Sequence, residues 1–152
     1  MSVGTSKKLY DIRAALAASI IAADIGWTAD TIILKRQTDL WNDVATAIAT
    51  SDNDAVLHIG VAEGAVTEDT GLEMDLTLSL TILCRPQPSK GAVPEETLWE
   101  SLVKHVHDLR LDAAGPYSQR FRFKSFSDIE IVSDQGTAYL GSQTVFNRRL
   151  SL

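Results

Sequence analysis

Residues 72–84 read Leu72-Glu73-Met74-Asp75-Leu76-Thr77-Leu78-Ser79-Leu80-Thr81-Ile82-Leu83-Cys84. Leu72, Met74, Leu76, Leu78, Leu80 and Ile82 alternate with Glu73, Asp75, Thr77, Ser79 and Thr81. Successive side chains of a strand point to opposite faces, so this period of two predicts a strand with one buried and one polar face. Such a strand belongs to an antiparallel sheet covered on one side. At about 3.3 Å per residue it spans roughly 40 Å, against a usual strand of about five or six residues.

Downstream, residues 85–93 hold Pro86, Pro88 and Gly91 and read as a loop. Pro94 is placed at the first turn of a helix over about 95–111, where a missing N–H costs nothing. Glu95 and Glu96 lie in that turn, and Lys104, His105, His107 and Arg110 lie towards the end, matching the helix dipole. Leu98, Leu102, Val106 and Leu109 form the apolar stripe, with Trp99 and Val103 beside it. Ala113-Ala114-Gly115-Pro116 closes the helix. Residues 120–132 and 137–150 then read as a second long hairpin. If Asp134-Gln135 is its two-residue tip, Ile131 opposes Ala138, Ile129 opposes Leu140 and Phe123 opposes Phe146. The other face then carries Arg120, Arg122 and Lys124 at one end and Asp128 and Glu130 at the other.

Upstream, Leu9, Ile12, Leu16, Ile20 and Ala23 recur at helical spacing over residues 6–23. Thr5 or Ser6 is its expected cap, and Gly26 lies just past its end. Thr31 to Leu34 reads as a short strand. A helix over about 40–49, capped by Thr38 or Asp39, places Trp41, Val44, Ala45 and Ile48 on one side. Asp52-Asn53-Asp54 breaks it, residues 55–62 read as a strand, and Glu63 to Gly71 as a polar loop. The expectation is one α+β domain over 1–152, with residues 1–5 flexible. Its mostly antiparallel sheet (about 55–62, 72–84, 120–132, 137–150) packs on the helices at 6–23 and 95–111.

The totals fit a single core. The chain has 152 residues, 45% apolar and 22% charged, which sets it apart from disordered chains. Its net charge of −6 weighs against wrapping nucleic acid, which needs a surplus of Lys and Arg. Cys84 is the only cysteine, so no intramolecular disulfide forms and a reducing compartment is expected. The first helical segment carries Asp11, Arg13 and Asp24 and is neither a signal-peptide core nor a membrane span.

The sequence holds no phosphate loop, dinucleotide fingerprint, H-E-x-x-H or G-x-S-x-G. His105 and His107 diverge by about 200° on a helix and cannot share a metal. His58 stands apart in a strand. Cys84, at a strand end beside Arg85, reads as a packing residue before it reads as a nucleophile. Glu63, Glu68, Asp69, Glu73 and Asp75 lack calcium-loop spacing and read as a solvated acidic loop. No catalytic residue, metal or cofactor is expected. Trp41 and Trp99 are expected in the core, while Trp27, in a loop after Gly26, is the tryptophan expected to make an external contact.

The order of helix, short elements, strand, long strand, Pro/Gly loop, helix and long hairpin resembles the tail-terminator (tail-completion) proteins of long-tailed bacteriophages. The likeness lies mainly in residues 55–150. It is carried by the alternating segment at 72–82, the helix from Leu98-Trp99-Glu100-Ser101 to Leu109, and the closing strand Tyr139-Leu140-Gly141-Ser142-Gln143-Thr144-Val145-Phe146-Asn147-Arg148-Arg149-Leu150. The helix at 40–49 and the lack of a Pro-Tyr strand opening before residue 56 depart from the commoner family pattern. The resemblance implies a virion protein without an active site, assembled in the host cytoplasm as a ring, typically a hexamer. The ring would cap the last tail-tube ring, stop tube polymerisation and join a neck or head-connector protein, with DNA passing through its lumen unbound. A head–tail joining protein is the neighbouring alternative. Arg120, Arg122, Lys124, Asp128, Glu130, Arg148 and Arg149 are the candidate subunit-interface residues.

Overall fold

A computed structural model describes residues 5–34, 40–66, 73–85, 94–109, 111, 120–133 and 136–151. Its elements are α1 (Thr5–Ala22), a 3-10 turn (Ala29–Thr31), β1 (Ile32–Ile33), α2 (Leu40–Thr50), β2 (Ala55–Val66), β3 (Glu73–Cys84), α3 (Glu95–Val106), β4 (Arg122–Val132) and β5 (Ala138–Ser151). The five strands form one sheet in the order β1-β2-β3-β5-β4. Only β1 and β2 run parallel; the other three pairings are antiparallel. The expected α+β class and its four long strands are present.

The alternation in β3 does what its spacing implies. Leu76, Leu78, Leu80 and Ile82 are buried, and all face a core shared with Ile12, Leu16 and Ile20 of α1 and Leu98, Leu102 and Val106 of α3. Residues 55, 57 and 59 of β2 and Phe146 of β5 complete that layer. The sheet is not bare on its other side, as one-sided covering would have it. Helix α2 lays Val44, Ala47 and Ile48 over Ile33, Val56, Leu83 and Tyr139, with Trp41 stacked on Tyr139 at 5.8 Å. Within α2, Ala47 takes the buried place expected of Ala45, which is exposed. Away from α2 this second face is polar: Thr77 donates to Asn147 at 3.1 Å and Gln143 donates to Ser79 at 2.8 Å.

Several boundaries differ from the sequence reading. Strand β2 runs on to Val66, because antiparallel pairing with β3 continues from Ala55↔Cys84 to Val66↔Met74 across a bulge between Val61 and Glu63. Pro94 is extended (φ −60, ψ 147) and caps α3 from outside it, its carbonyl accepting from the Leu98 N–H. Helix α3 ends at Val106, five residues early. Asp108 turns left-handed (φ 64), and its N–H bonds to the Phe121 carbonyl while the Phe121 N–H bonds to Leu109. Backbone pairing to the approaching β4 thus replaces the last helical turn. Trp27 is 3% exposed and belongs to the α1/α3 core, correcting its expected outward role. Gly26 (φ +101) makes this possible: a Cβ there would lie 2.6 Å from a Leu98 methyl, so the chain passes against α3 and drops the indole inward.

The expected caps Thr38 and Asp39, residues 1–4, Leu72, the loop at 86–93, Arg110, the Ala113–Pro116 stop and the Asp134-Gln135 tip lie outside the described residues.

Candidate assembly edge on strand β4

Strand β4 has β5 on one side and, among the described residues, no strand on the other. Its residues 122–128 are all exposed, and only Ile129 and Ile131 are half-buried, against Tyr139 and α2. Eleven residues therefore present an outer row of backbone donors and acceptors, the template on which another strand can add.

The hairpin closes differently from the two-residue tip. The Ser133 N–H bonds to Thr137 and the Gly136 N–H returns to Ser133, with Gly136 at φ +81. This is a three-residue loop ending in a left-handed glycine. The pairing consequently slips by one: Ile131 opposes Tyr139 and Ile129 opposes Gly141. A bulge between Phe123 and Ser125 restores the expected Phe123↔Phe146 pair. One skipped residue flips the face of everything beyond it. Phe126 packs at a tilt on Trp99 of α3 (4.8 Å, 60°) and Phe123 meets Phe146 edge-on (5.9 Å, 78°), so both face the helices although they are three apart. The single polar face joining Arg122 to Asp128 and Glu130 does not exist, because the bulge puts Arg122 on the opposite side from the other two.

The seven candidate residues divide accordingly. Arg122, Lys124, Asp128 and Glu130 are exposed on β4, with Arg122 in a loose 3.7 Å pair to Asp108. Arg120 is half-buried. Arg148 is 7% exposed, its guanidinium 5.5 Å from the Phe121 ring centroid, and so belongs to the interior. The Arg149 side chain lies outside the described residues.

Between the first turn of α3 and the β4–β5 hairpin is a cleft of about 330 Å³ lined by Glu95, Glu96, Trp99, Phe126, Asp128 and Ser142. The Trp99 indole N–H donates to Thr144 at 2.8 Å and fixes the aromatic wall. The Ser142 hydroxyl is buried without a hydrogen-bond partner among the described residues. Burial, and secondarily Asp128, push the Glu95 carboxyl above the usual carboxylate range. A raised folded-state value means that Glu95 supports the fold while protonated and loses that support as pH rises through its folded value. Glu95→Gln is accordingly expected to raise the urea midpoint at neutral pH and to leave it nearly unchanged in acid. An equal effect at both pH values would show that charge is not the cause.

The remaining candidates scatter. His105 Nε2 is hydrogen-bonded to Ser19 Oγ at 3.0 Å, and His107 Nδ1 accepts from the Phe123 N–H. The two imidazoles thus hold α3 to different elements. Cys84 is buried in the core, and its thiol is pushed up to about 12 by burial, then by Glu95 and Asp54, which keeps it protonated. Glu68, Asp69 and the side chains of Glu63 and Glu73 lie outside the described residues, and Asp75 is exposed. Among the described residues no cluster of His, Cys, Asp or Glu could hold a metal, and no helix is long and apolar enough to cross a membrane. No protein-family model matches the chain, and no curated protein matches it significantly.

Periodicity had no means of locating the cleft. Its walls come from a helix start and a hairpin more than 25 residues away, and the one-residue slip at the hairpin loop that turns Phe126 onto Trp99 has no signature in the sequence.

Proposed function

We propose that this chain is a structural virion subunit, a tail terminator that assembles as a ring on the end of a phage tail tube. The observation that carries the reading is the 11-residue edge strand β4, whose residues 122–128, Phe123 and Phe126 among them, are all exposed. A monomer gains nothing from so long an open edge, whereas a partner chain gains both backbone hydrogen bonds and apolar burial. The resemblance of residues 55–150 to tail-completion proteins supplies the biological setting. In this reading a hexameric ring stops tube polymerisation, offers its other side to a neck or head connector, and lets DNA through without binding it.

The test is assembly. Purified chain mixed with tail-tube protein is expected to give capped tube ends by negative-stain microscopy and a ring-sized species by mass measurement. Binding to a head connector with no effect on tube ends would favour the head–tail joining alternative. A chain that ignores both would rule out the virion reading.

A further inference from the structure

The cleft between the start of α3 and the β4–β5 hairpin gathers the carboxylates of Glu95, Glu96 and Asp128, the rings of Trp99 and Phe126, and the hydroxyl of Ser142. The ion pairs of the described residues lie elsewhere, at Lys104–Glu100 and around Asp108, so none of them supplies a cation to these three acids. Like charges gathered in one cleft leave it short of positive charge. Ser142 is 2% exposed, and its hydroxyl lines the cleft with no hydrogen-bond partner among the described residues. A buried polar group in that state is one that a ligand can satisfy. We propose that the cleft binds a primary ammonium carried on an alkyl chain, as a free alkylamine or a lysine side chain presents it.

The lining narrows the class of ligand. The acids do not converge closely enough to hold a metal ion. An ammonium instead carries three separate N–H donors, and Glu95, Asp128 and Ser142 offer an acceptor to each. The Trp99–Phe126 pair gives the alkyl chain an apolar wall, and an aromatic face also attracts the charge. Trp99 is fixed in place by its indole bond to Thr144 at 2.8 Å, so the wall stands before a ligand arrives. Phe126 is still 44% exposed, and that is surface an alkyl chain can cover. A planar guanidinium is best held by stacking flat on a ring, and rings meeting at 60° form no slot between parallel plates. A helix N-terminus ordinarily favours an anion, but the first turn of α3 already carries its own Glu95 and Glu96. The volume of about 330 Å³ is at the lower end for ligand sites and suits a ligand the size of one side chain. This inference stands apart from the virion reading, since it needs neither a ring nor a tail tube.

The test is a titration of the full-length chain with n-butylammonium chloride at constant ionic strength, followed by proton–nitrogen NMR. The Trp99 indole N–H signal, identified by its loss in Trp99→Phe, is expected to move saturably while those of Trp27 and Trp41 stay in place. n-Butanol at the same concentrations is expected to leave it unmoved. Glu95→Gln and Asp128→Asn should each weaken binding by about tenfold, and Ser142→Ala by about threefold. Glu95→Gln removes a charge that opposes the fold at neutral pH, so its loss of binding is not a loss of folding. A Gly-Lys-Gly peptide with blocked ends is the second arm. Binding of the peptide as tightly as butylammonium assigns the site to a lysine side chain, and binding of the free amine alone assigns it to small amines. The inference is overturned if the Trp99 signal shows no saturable shift, or if butanol moves it equally. Tighter binding of n-butylguanidinium, or an affinity that survives both Glu95→Gln and Asp128→Asn, overturns it as well.

Discussion

Gly141→Ala is expected to be among the most damaging single substitutions in the sheet, lowering stability by about 3 kcal/mol or more, enough to leave much of the chain unfolded. Gly141 lies in β5 opposite Leu83 on one side and Ile129 on the other. A Cβ built there would sit 1.8 Å from the Ile82 carbonyl oxygen and 2.9 Å from its carbon. Neither atom is the end of a flexible side chain. Relief requires β3 and β5 to separate near the Cys84↔Leu140 end of their ladder, beside the buried pairs on which both hydrophobic layers rest. Urea denaturation followed by circular dichroism measures the loss. A midpoint close to wild type would mean that β3 and β5 do not approach as closely as described.

Phe146→Ala should cost about 3–5 kcal/mol. Phe146 is fully buried, opposite Leu78 in the β3–β5 ladder and edge-on to Phe123. Its removal leaves a cavity under two strands that α1 and α3 cannot both refill. Phe126→Ala makes the internal control: with Phe126 44% exposed, the same truncation one strand over should cost far less. Chemical denaturation of the two variants side by side decides the matter. Equal losses would contradict the inside-outside assignment of the hairpin.

The β3 alternation was readable because each of Leu76, Leu78, Leu80 and Ile82 announces its face without reference to any other segment. The same holds for Ile12, Leu16 and Ile20 on α1 and for Leu98, Leu102 and Val106 on α3, where helical spacing alone defines the stripe. The β4–β5 hairpin was legible as two strands and not as a register. Loop length at Gly136 and the bulge at Lys124 each shift pairing by one residue, and neither changes composition enough to be seen. Arg148 shows the limit at a candidate site. Its charge suggested an interface, but only the meeting of β5 with Phe121 reveals that the guanidinium lies over a ring in the interior. Trp27 fails in the opposite sense, since a tryptophan after a glycine reads as a loop residue until α3 is in place above it.

The sequence by itself determined which faces are apolar and that long strands exceed what a small core needs, because side-chain period follows from backbone geometry one element at a time. The tertiary structure alone decided that α2 covers the second face of the sheet, that β4 is left at its edge, and that Phe126, Trp99, Glu95 and Asp128 surround one cleft. Strand order and register depend on contacts between segments far apart in the chain, and those are settled by competition for burial and hydrogen bonds among whole elements.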